Sequence, residues 1–201
     1  MYPPTLIAPA IEKIKSAFSE PFFPISINNS SLIGVYTASN KNGIIVPHII
    51  REEELQKLKT YTKNINDDYR IGVLNSLDNA FGNLIVCNDK GAIISSFLKD
   101  YKNIIEDTLN VETVVYEYVD MNLPGSISVA NNKGCLVHPL TTDEEIEIIS
   151  DILKVDETDV STVNRGMPYL SSGAVVNDRS GIFGHQCTGP EMMRLTNVLK
   201  L

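Results

Sequence analysis

The 201-residue chain carries 17 Lys and Arg against 25 Asp and Glu, which gives a formal net charge of −8. A composition of 43% apolar and 21% charged residues is typical of a folded globular protein and excludes a disordered or collagen-like chain. The acidic balance disfavours binding driven by nucleic-acid phosphates, the three cysteines predict a reducing cytoplasm rather than a disulfide framework, and no apolar run reaches the ~18 residues of a membrane span.

The chain opens with a helical pattern that no hairpin precedes. Apolar side chains have helical spacing over residues 11–18, and a β-rich stretch follows at 22–27. Pro3 stands as far before this pattern as Pro47 stands before the next helical pattern. By comparison with the later units we expect a missing strand in the first hairpin. Either the recorded start lies downstream of the true one, which we favour, or the strand is absent.

A turn pattern then recurs at intervals of 48, 43 and 46 residues. A glycine is followed, after five intervening residues, by an asparagine, and a second glycine three positions later opens an apolar run. The full copies are Gly34, Asn40 and Gly43; Gly82, Asn88 and Gly91; Gly125, Asn131 and Gly134; a degenerate copy begins at Asn177. Asn and Gly tolerate the left-handed backbone of tight turns, so each copy predicts a β-hairpin. The shared spacing disfavours the alternative of four unrelated turns.

A helical pattern follows each hairpin. The acidic run 52–54 and the capping-box pair Thr142 and Glu145 are typical of helix N-termini, and Pro190 suits a first helical position. Apolar residues have helical spacing over 101–109 and 146–153, and β-rich stretches come next at 69–74, 111–119 and 160–163.

The repeating unit is therefore strand, tight turn, strand, helix, strand, over about 45 residues. We expect one domain over 1–201, with a partial repeat at 1–27 and full repeats at 28–75, 76–119, 120–163 and 164–201. One unit cannot bury its apolar face alone, so neighbouring units must stack. A closed disc of five units, with strands near the axis and helices at the rim, is the favoured arrangement. An open row of repeats is the alternative.

Five segments, in order along the chain, carry a family resemblance. They are Gly-Ile-Ile-Val-Pro at 43–47, Ala-Phe-Gly-Asn at 80–83 with Cys-Asn-Asp at 87–89, Asn-Lys-Gly-Cys-Leu-Val-His-Pro at 132–139, Thr-Val-Asn-Arg-Gly at 162–166 and Thr-Gly-Pro-Glu at 188–191. Together they resemble the family of archaeal translation initiation factor 6. The resemblance implies the pentein fold, a closed five-fold pseudosymmetric α/β propeller, whose first repeat would be incomplete here.

The resemblance also implies a function. The family binds the joining face of the large ribosomal subunit, which blocks docking of the small subunit, and has a linked role in large-subunit maturation. It is not enzymatic, and we expect a cytoplasmic monomer without a cofactor. A net charge of −8 favours a basic ribosomal protein over ribosomal RNA as the contact, which agrees with the family's partner L14.

Three residues are candidates for ribosome binding. Asn83 follows a repeat glycine, at a position where the other copies have small or apolar residues. Its side chain could therefore contact the ribosome. The alternative is that it hydrogen-bonds a local backbone group. Asn164 and Arg165 lie at the junction of the fourth and fifth repeats. Arg165 could make a forked contact with a carboxylate or phosphate, and an inter-repeat structural clamp is the alternative.

A guanidine-modifying enzyme of the deiminase or amidinotransferase kind is the alternative function, because such enzymes share the pentein fold. Its nucleophile would be Cys187, with His185 and Glu191 nearby in sequence. Cys87 and Cys135 are expected to be small core residues. The segment 185–187 departs from the Asp-Thr pair that is usual in the family, so no role is carried over to it. Neither a paired acidic set for a guanidinium nor zinc-finger spacing is recognisable, and we expect no metal site.

Overall fold

The computed structural model describes residues 1–19 and 21–201, which form small sheets with helices packed on them. The strands are β1 (Ala38–Ser39), β2 (Gly43–Pro47), β3 (Arg70–Leu74), β4 (Ile85–Cys87), β5 (Gly91–Ile94), β6 (Glu112–Val115), β7 (Ser128–Ala130), β8 (Gly134–Val137), β9 (Glu157–Val160), β10 (Ala174–Val176) and β11 (Gly181–Phe183). The helices are α1 (Ala8–Ala17), α2 (Ile33–Tyr36), α3 (Glu52–Ile65), α4 (Phe81–Leu84), α5 (Lys102–Leu109), α6 (Asp143–Leu153) and α7 (Gly189–Leu199), with 3-10 turns at Ser96–Tyr101 and Leu170–Ser172. Over this part of the chain, none of the helices combines the length and apolar character needed to cross a membrane.

Three of the four sheets share one plan. In the first, β1 and β2 form an antiparallel hairpin, and β3 returns after α3 to pair parallel with β2. The sheets β4-β5-β6 and β7-β8-β9 repeat this plan around α5 and α6. The fourth sheet, within the described residues, contains only the hairpin β10-β11.

An asparagine in each full turn connects one repeat to the next. The Asn88 carboxamide oxygen accepts from the backbone N–H groups two and three residues later, at 2.8 and 3.0 Å. Its nitrogen donates to the carbonyls of Asn131 and Leu153, at 3.1 and 2.8 Å. Asn40 and Asn131 make the same set of contacts with their own next repeats. Each turn is thereby tied to the next turn and to the C-terminal carbonyl of the next helix.

The apolar core lies between the second strand of each hairpin and the helix of the following repeat. Every residue of β2, β5 and β8 is buried, and α5, α6 and α7 pack on these strands in that order. Ile45 shares a core cluster with Leu109, and Ile93 shares one with Leu153. The helically spaced apolar residues of the sequence are therefore what joins the repeats, since burial of such side chains stabilises by about 25 cal/mol per Å².

The prediction of a closed pentein propeller is wrong. Contacts run from β1 to β4, from β4 to β7 and from β7 to β10, and the four hairpin turns line one shared pocket, but the sheets do not close into a propeller. A cavity of about 660 Å³ lies between the first and last hairpins, with Ile44 on one side and Ile182 on the other, and α1 contacts β11 beside it. The physical reason lies in the first repeat, which supplies α1 and a single bridge between Tyr2 and Pro24 in place of a hairpin. The molecule is a mixed α/β structure with small sheets.

Candidate functional site

The repeats give the molecule two opposite faces. We call residues 40–43, 88–91, 131–134 and 177–181 the turn face and residues 28–32, 75–84, 116–126 and 161–173 the loop face. Helices α5, α6 and α7 end at the turn face, because their last carbonyls accept from the turn asparagines. Strands β2, β5 and β8 run from the turn face toward the loop face. Asn83, Asn164 and Arg165, which lie far apart in sequence, are therefore all on the loop face.

Asn83 lies where the short helices of successive repeats meet. A Cβ on Gly82 would overlap the carbonyl of Gly34, so the repeat glycine lets α2 and α4 approach closely. The Asn83 carbonyl accepts from the N–H of Gly125 at 2.9 Å and from that of Ser126 at 3.2 Å. Its half-buried carboxamide makes no hydrogen bond with the described residues. The backbone of Asn83 is structural, and its side chain is free to contact a ligand.

Asn164 and Arg165 form a left-handed turn, with φ of 49° and 65°, over the N-terminus of α7. The N–H groups of Arg165 and Gly166 donate to the Glu191 carboxylate at 3.2 and 2.9 Å. Glu191 also completes the capping box with Thr188. The backbone of this turn thus clamps two repeats together.

The same clamp occurs at two other loops. Glu54 accepts from the N–H groups of Asn28 and Asn29 at 2.6 and 2.8 Å, and Glu145 accepts from that of Val119 at 2.9 Å. Burial acts to raise the pKa of these carboxyls, but the hydrogen bonds outweigh it and hold the pKa of each below its usual value. The clamp glutamates are therefore ionised in the folded protein at neutral pH.

Besides Asn83, the side chains of Arg165 and Leu77 have no structural partner on the loop face among the described residues. The Arg165 guanidinium is exposed and makes no hydrogen bond or ion pair with the described residues. Leu77 is 97% exposed, which is unusual for an apolar side chain in an ordered loop. Leu32, Met167 and Tyr169 are also exposed on this face. Exposed apolar side chains grouped on one face indicate an interaction surface.

Charged side chains lie on both faces. The loop face and the first turns of helices that begin there carry exposed carboxylates at Glu52, Glu53, Asp78, Asp120, Asp143 and Glu144. The turn face carries Lys41, Lys90, Lys133 and Arg179 together with Asp89 and Asp178, and the carboxylates of Glu112 and Glu157 lie beside its glycines. Acids at helix N-termini follow the helix dipole. The loop face therefore combines exposed apolar side chains with carboxylates.

Comparison with known proteins identifies the family of this chain. The model of the eIF-6 family matches residues 1–198. The chain belongs to the eIF-6 family. Translation initiation factor 6 of Methanococcus vannielii is 38% identical over 201 residues, which is all of this chain and 88% of the relative. The protein of that name from Thermococcus onnurineus is 37% identical over 190 residues, 94% of this chain and 83% of the relative.

The solved structures give much weaker likeness. Agmatine deiminase of C. jejuni with substrate bound has a TM-score of 0.48 and 14% identity, covering 90% of this chain and 63% of that one. A likeness at this level is too weak to assign a fold or an activity. Members of the eIF-6 family are translation factors and not enzymes.

The cysteine environments fit a non-catalytic protein of the eIF-6 family. Burial raises the pKa of the Cys87 and Cys135 thiols to about 12. Cys187 accepts from the N–H of Asn164 at 3.3 Å, and the carboxylate of Glu191 is occupied by the clamp. No group of three or more potential metal ligands occurs in residues 1–19 and 21–201.

Sequence reasoning missed two features of this face. Of the clamp glutamates only Glu145 stood in a predicted capping box, and none was predicted to link repeats, because their second partners lie 25 to 29 residues away in sequence. The exposure of Leu77 had no signal in the sequence at all, since an isolated leucine between polar residues is equally typical of a loop that buries it.

Proposed function

We propose that this protein binds the large ribosomal subunit and prevents the small subunit from associating with it. The observation that carries the proposal is the match of the eIF-6 family model to nearly the whole chain, together with a relative named translation initiation factor 6 that aligns with all of this chain. A role in maturation of the large subunit, and a cytoplasmic location with the ribosome, go with the same proposal.

The proposed action is steric exclusion. A protein bound to the joining face of one subunit occupies space that the other subunit needs, so no reaction and no cofactor are required. The effect then depends on occupancy alone, and it is governed by the protein concentration relative to Kd. Rigid spacing of the repeats by the turn asparagines and clamp glutamates supports this action, because a rigid block excludes a partner better than a flexible one.

The loop face is the proposed docking surface. It carries the free carboxamide of Asn83, the free guanidinium of Arg165 and the exposed side chain of Leu77. Protein interfaces combine apolar anchors with a polar rim, and arginine is enriched among the residues that contribute most binding energy. The clamp keeps Arg165 in place through its backbone and leaves its side chain for the partner.

The proposed contact is a basic protein of the large subunit, of the L14 kind, to which this protein binds as a monomer. The carboxylates of the loop face and the net charge of −8 attract a cationic protein surface and repel exposed RNA phosphates. Such attraction is screened by salt, so the complex weakens as ionic strength rises.

Sedimentation through a sucrose gradient tests the proposal. The protein is mixed with purified archaeal large or small subunits at low and at high salt. It should migrate with large subunits alone, and less of it should do so at high salt. Migration with small subunits, or with neither subunit, contradicts the proposal. Salt-independent migration with large subunits contradicts only the basic-protein contact.

A further inference from the structure

Three loops of the loop face are closed by the same kind of hydrogen-bonded turn. Within the described residues, isolated bridges join Ile27 to Ser30, Tyr118 to Met121 and Val163 to Met167. Each bridge encloses two or three successive residues with positive φ, and a clamp glutamate accepts from one or two of the enclosed backbone N–H groups. We call these the clamped loops, and they are held in one conformation before any partner binds.

Loop 75–80 lies at the corresponding junction between repeats but has no clamp. Leu77 precedes its repeat glycine by five residues, as Asn29 and Asp120 precede theirs. All residues of this loop are described, yet none has a positive φ and no bridge spans the loop. The backbone N–H groups of Ser76 and Leu77 donate to no atom of the described residues. The turn that closes the other three loops is therefore not formed here.

The sequence around α5 explains the missing clamp. The clamp glutamates Glu145 and Glu191 stand eight residues before the last residues of α6 and α7. The matching position before the end of α5 is Tyr101, whose hydroxyl donates to the carbonyl of Asn75. This hydrogen bond holds the first residue of the loop, and the fully buried ring of Phe81 holds the chain just after it. The loop thus has two fixed ends and no fixed middle.

The middle segment, residues 76–79, leaves favourable interactions unmade. Within the described residues, its hydrogen bonds join only Asp78 to Ser76 and Asn79 to Leu77. Leu77 is 97% exposed, and the Oδ1 atom of Asn79 is buried without a partner. An exposed apolar side chain and a buried unpaired acceptor are both unfavourable, so a rearrangement of this segment against a partner can remove both.

We propose that segment 76–79 is the adaptable part of the docking surface, which rearranges on binding and places Leu77 in an apolar pocket of the partner, whereas the clamped loops bind preformed. This rests on the proposed function. The exposed carboxylates of Asp78, beside Leu77, and of Asp120, on a clamped loop, favour a pocket bordered by Lys and Arg, as on a basic protein of the large subunit. The preformed loops fix the register, and Leu77 is the apolar anchor.

Hydrogen exchange followed by mass spectrometry tests the rearrangement, with the protein alone and with purified archaeal large subunits. In the protein alone, segment 76–79 should exchange at least about tenfold faster than Val119 and Gly166, whose N–H groups donate to clamp glutamates. With large subunits bound, segment 76–79 should show the greatest slowing of the loop face. Equal exchange of clamped and unclamped loops in the protein alone, or no slowing of 76–79 on binding, would overturn the proposal.

Three variants test the anchor by sedimentation with large subunits at limiting protein. Leu77→Asn introduces the residue type that Asn29 supplies at the same position, and it should weaken binding about tenfold. Leu77→Met keeps an apolar side chain of similar size and should bind within about twofold of the parent. Met193→Asn changes an apolar side chain that is 61% exposed on α7, away from the loop face, and should leave binding unchanged.

The outcomes separate this proposal from the proposed function. If the parent protein does not sediment with large subunits, the proposed function is wrong and this proposal fails with it. If the parent does so and Leu77→Asn binds equally well, or Leu77→Met or Met193→Asn loses as much as Leu77→Asn, only the proposal for segment 76–79 is overturned.

Discussion

Each buried turn asparagine makes several hydrogen bonds through a single carboxamide. Asn88 is 5% exposed, and its carboxamide makes two hydrogen bonds within the turn and two to the next repeat. Within the described residues, Asn177 makes only the two turn bonds, and its carboxamide nitrogen donates to no carbonyl of another repeat. Comparison of Asn88 with Asn177 therefore separates what the turn hydrogen bonds contribute to the free energy of unfolding from what the inter-repeat hydrogen bonds contribute.

Replacement of Asn88 should therefore destabilise more than replacement of Asn177. Asn88→Ala leaves buried groups unpaired on both repeats, and we expect the free energy of unfolding to fall by about 2–3 kcal/mol. Asn177→Ala should cost about 1 kcal/mol or less. Urea unfolding of both variants measures the difference; equal losses would mean that the inter-repeat bonds contribute nothing.

The clamp glutamate Glu191 predicts a pH dependence of stability. Burial acts to raise its pKa, but hydrogen bonds from Thr188, Gly166 and Thr162 outweigh this and lower it from an ordinary value of 4.5 to about 2. Because the folded pKa lies below the unfolded one, the stabilisation is present above pH 4.5 and is lost as the pH falls from there through about 2.

Glu191→Gln should remove this pH dependence. The variant should be less stable than the parent at pH 6, and the difference between them should shrink between roughly pH 5 and pH 2. Thermal unfolding at several pH values measures it. Glu144→Gln, on the exposed first turn of α6, is the control. If the stability difference between parent and variant stays constant with pH, the ionised form of Glu191 is not what stabilises the folded protein.

Substitution of Leu77 tests whether the loop face is the docking surface. If the loop face contacts the ribosome, Leu77→Ala removes a buried apolar side chain from the complex and should weaken binding about tenfold. Ile104→Ala removes an apolar side chain that is 46% exposed on α5, away from the loop face, and should have no effect. Sedimentation with large subunits at limiting protein compares them, and equal binding by both variants would place the contact elsewhere.

At the scale of elements, the hairpin β10-β11 is the least supported sheet. β8 is buried throughout and has strands on both sides, whereas β11 is half-buried with a strand on one side. Amide exchange should therefore be at least about tenfold faster in β11 than in β8 in the protein alone. Hydrogen exchange followed by mass spectrometry resolves the two strands; equal protection would mean that the open edge is covered.

The elements were largely predictable from sequence, because their signals are local. The capping-box pair Thr142 and Glu145 indicated the start of α6, which begins at Asp143. The stretches 69–74 and 111–119 contain β3 and β6, but 160–163 overlaps β9 only at Val160, and 22–27 forms isolated bridges. β9 is polar and no residue of it is fully buried, so its position depends on pairing with β8 rather than on its own pattern.

At the scale of the whole molecule, ring closure is the property that repeat counting could not predict. A repeat pattern states which surfaces can stack, but closure depends on whether the last sheet meets the first sheet, and here a cavity lies between the two. The placement of Asn83, Asn164 and Arg165 on one face follows from the repeat direction and was within reach of the sequence. Only the structure shows that the side chains of Asn83 and Arg165 are free, whereas the Asn164 carboxamide packs against Gly184 and accepts from the Cys187 thiol.

Light scattering of purified ribosomal subunits, in magnesium sufficient for association, tests the central claim most directly. Addition of the protein should suppress association in proportion to its occupancy of large subunits, and excess large subunits should reverse the suppression. The Leu77→Ala variant should need about tenfold more protein for the same effect, and Ile104→Ala should not. Unchanged association at saturating protein would contradict the account.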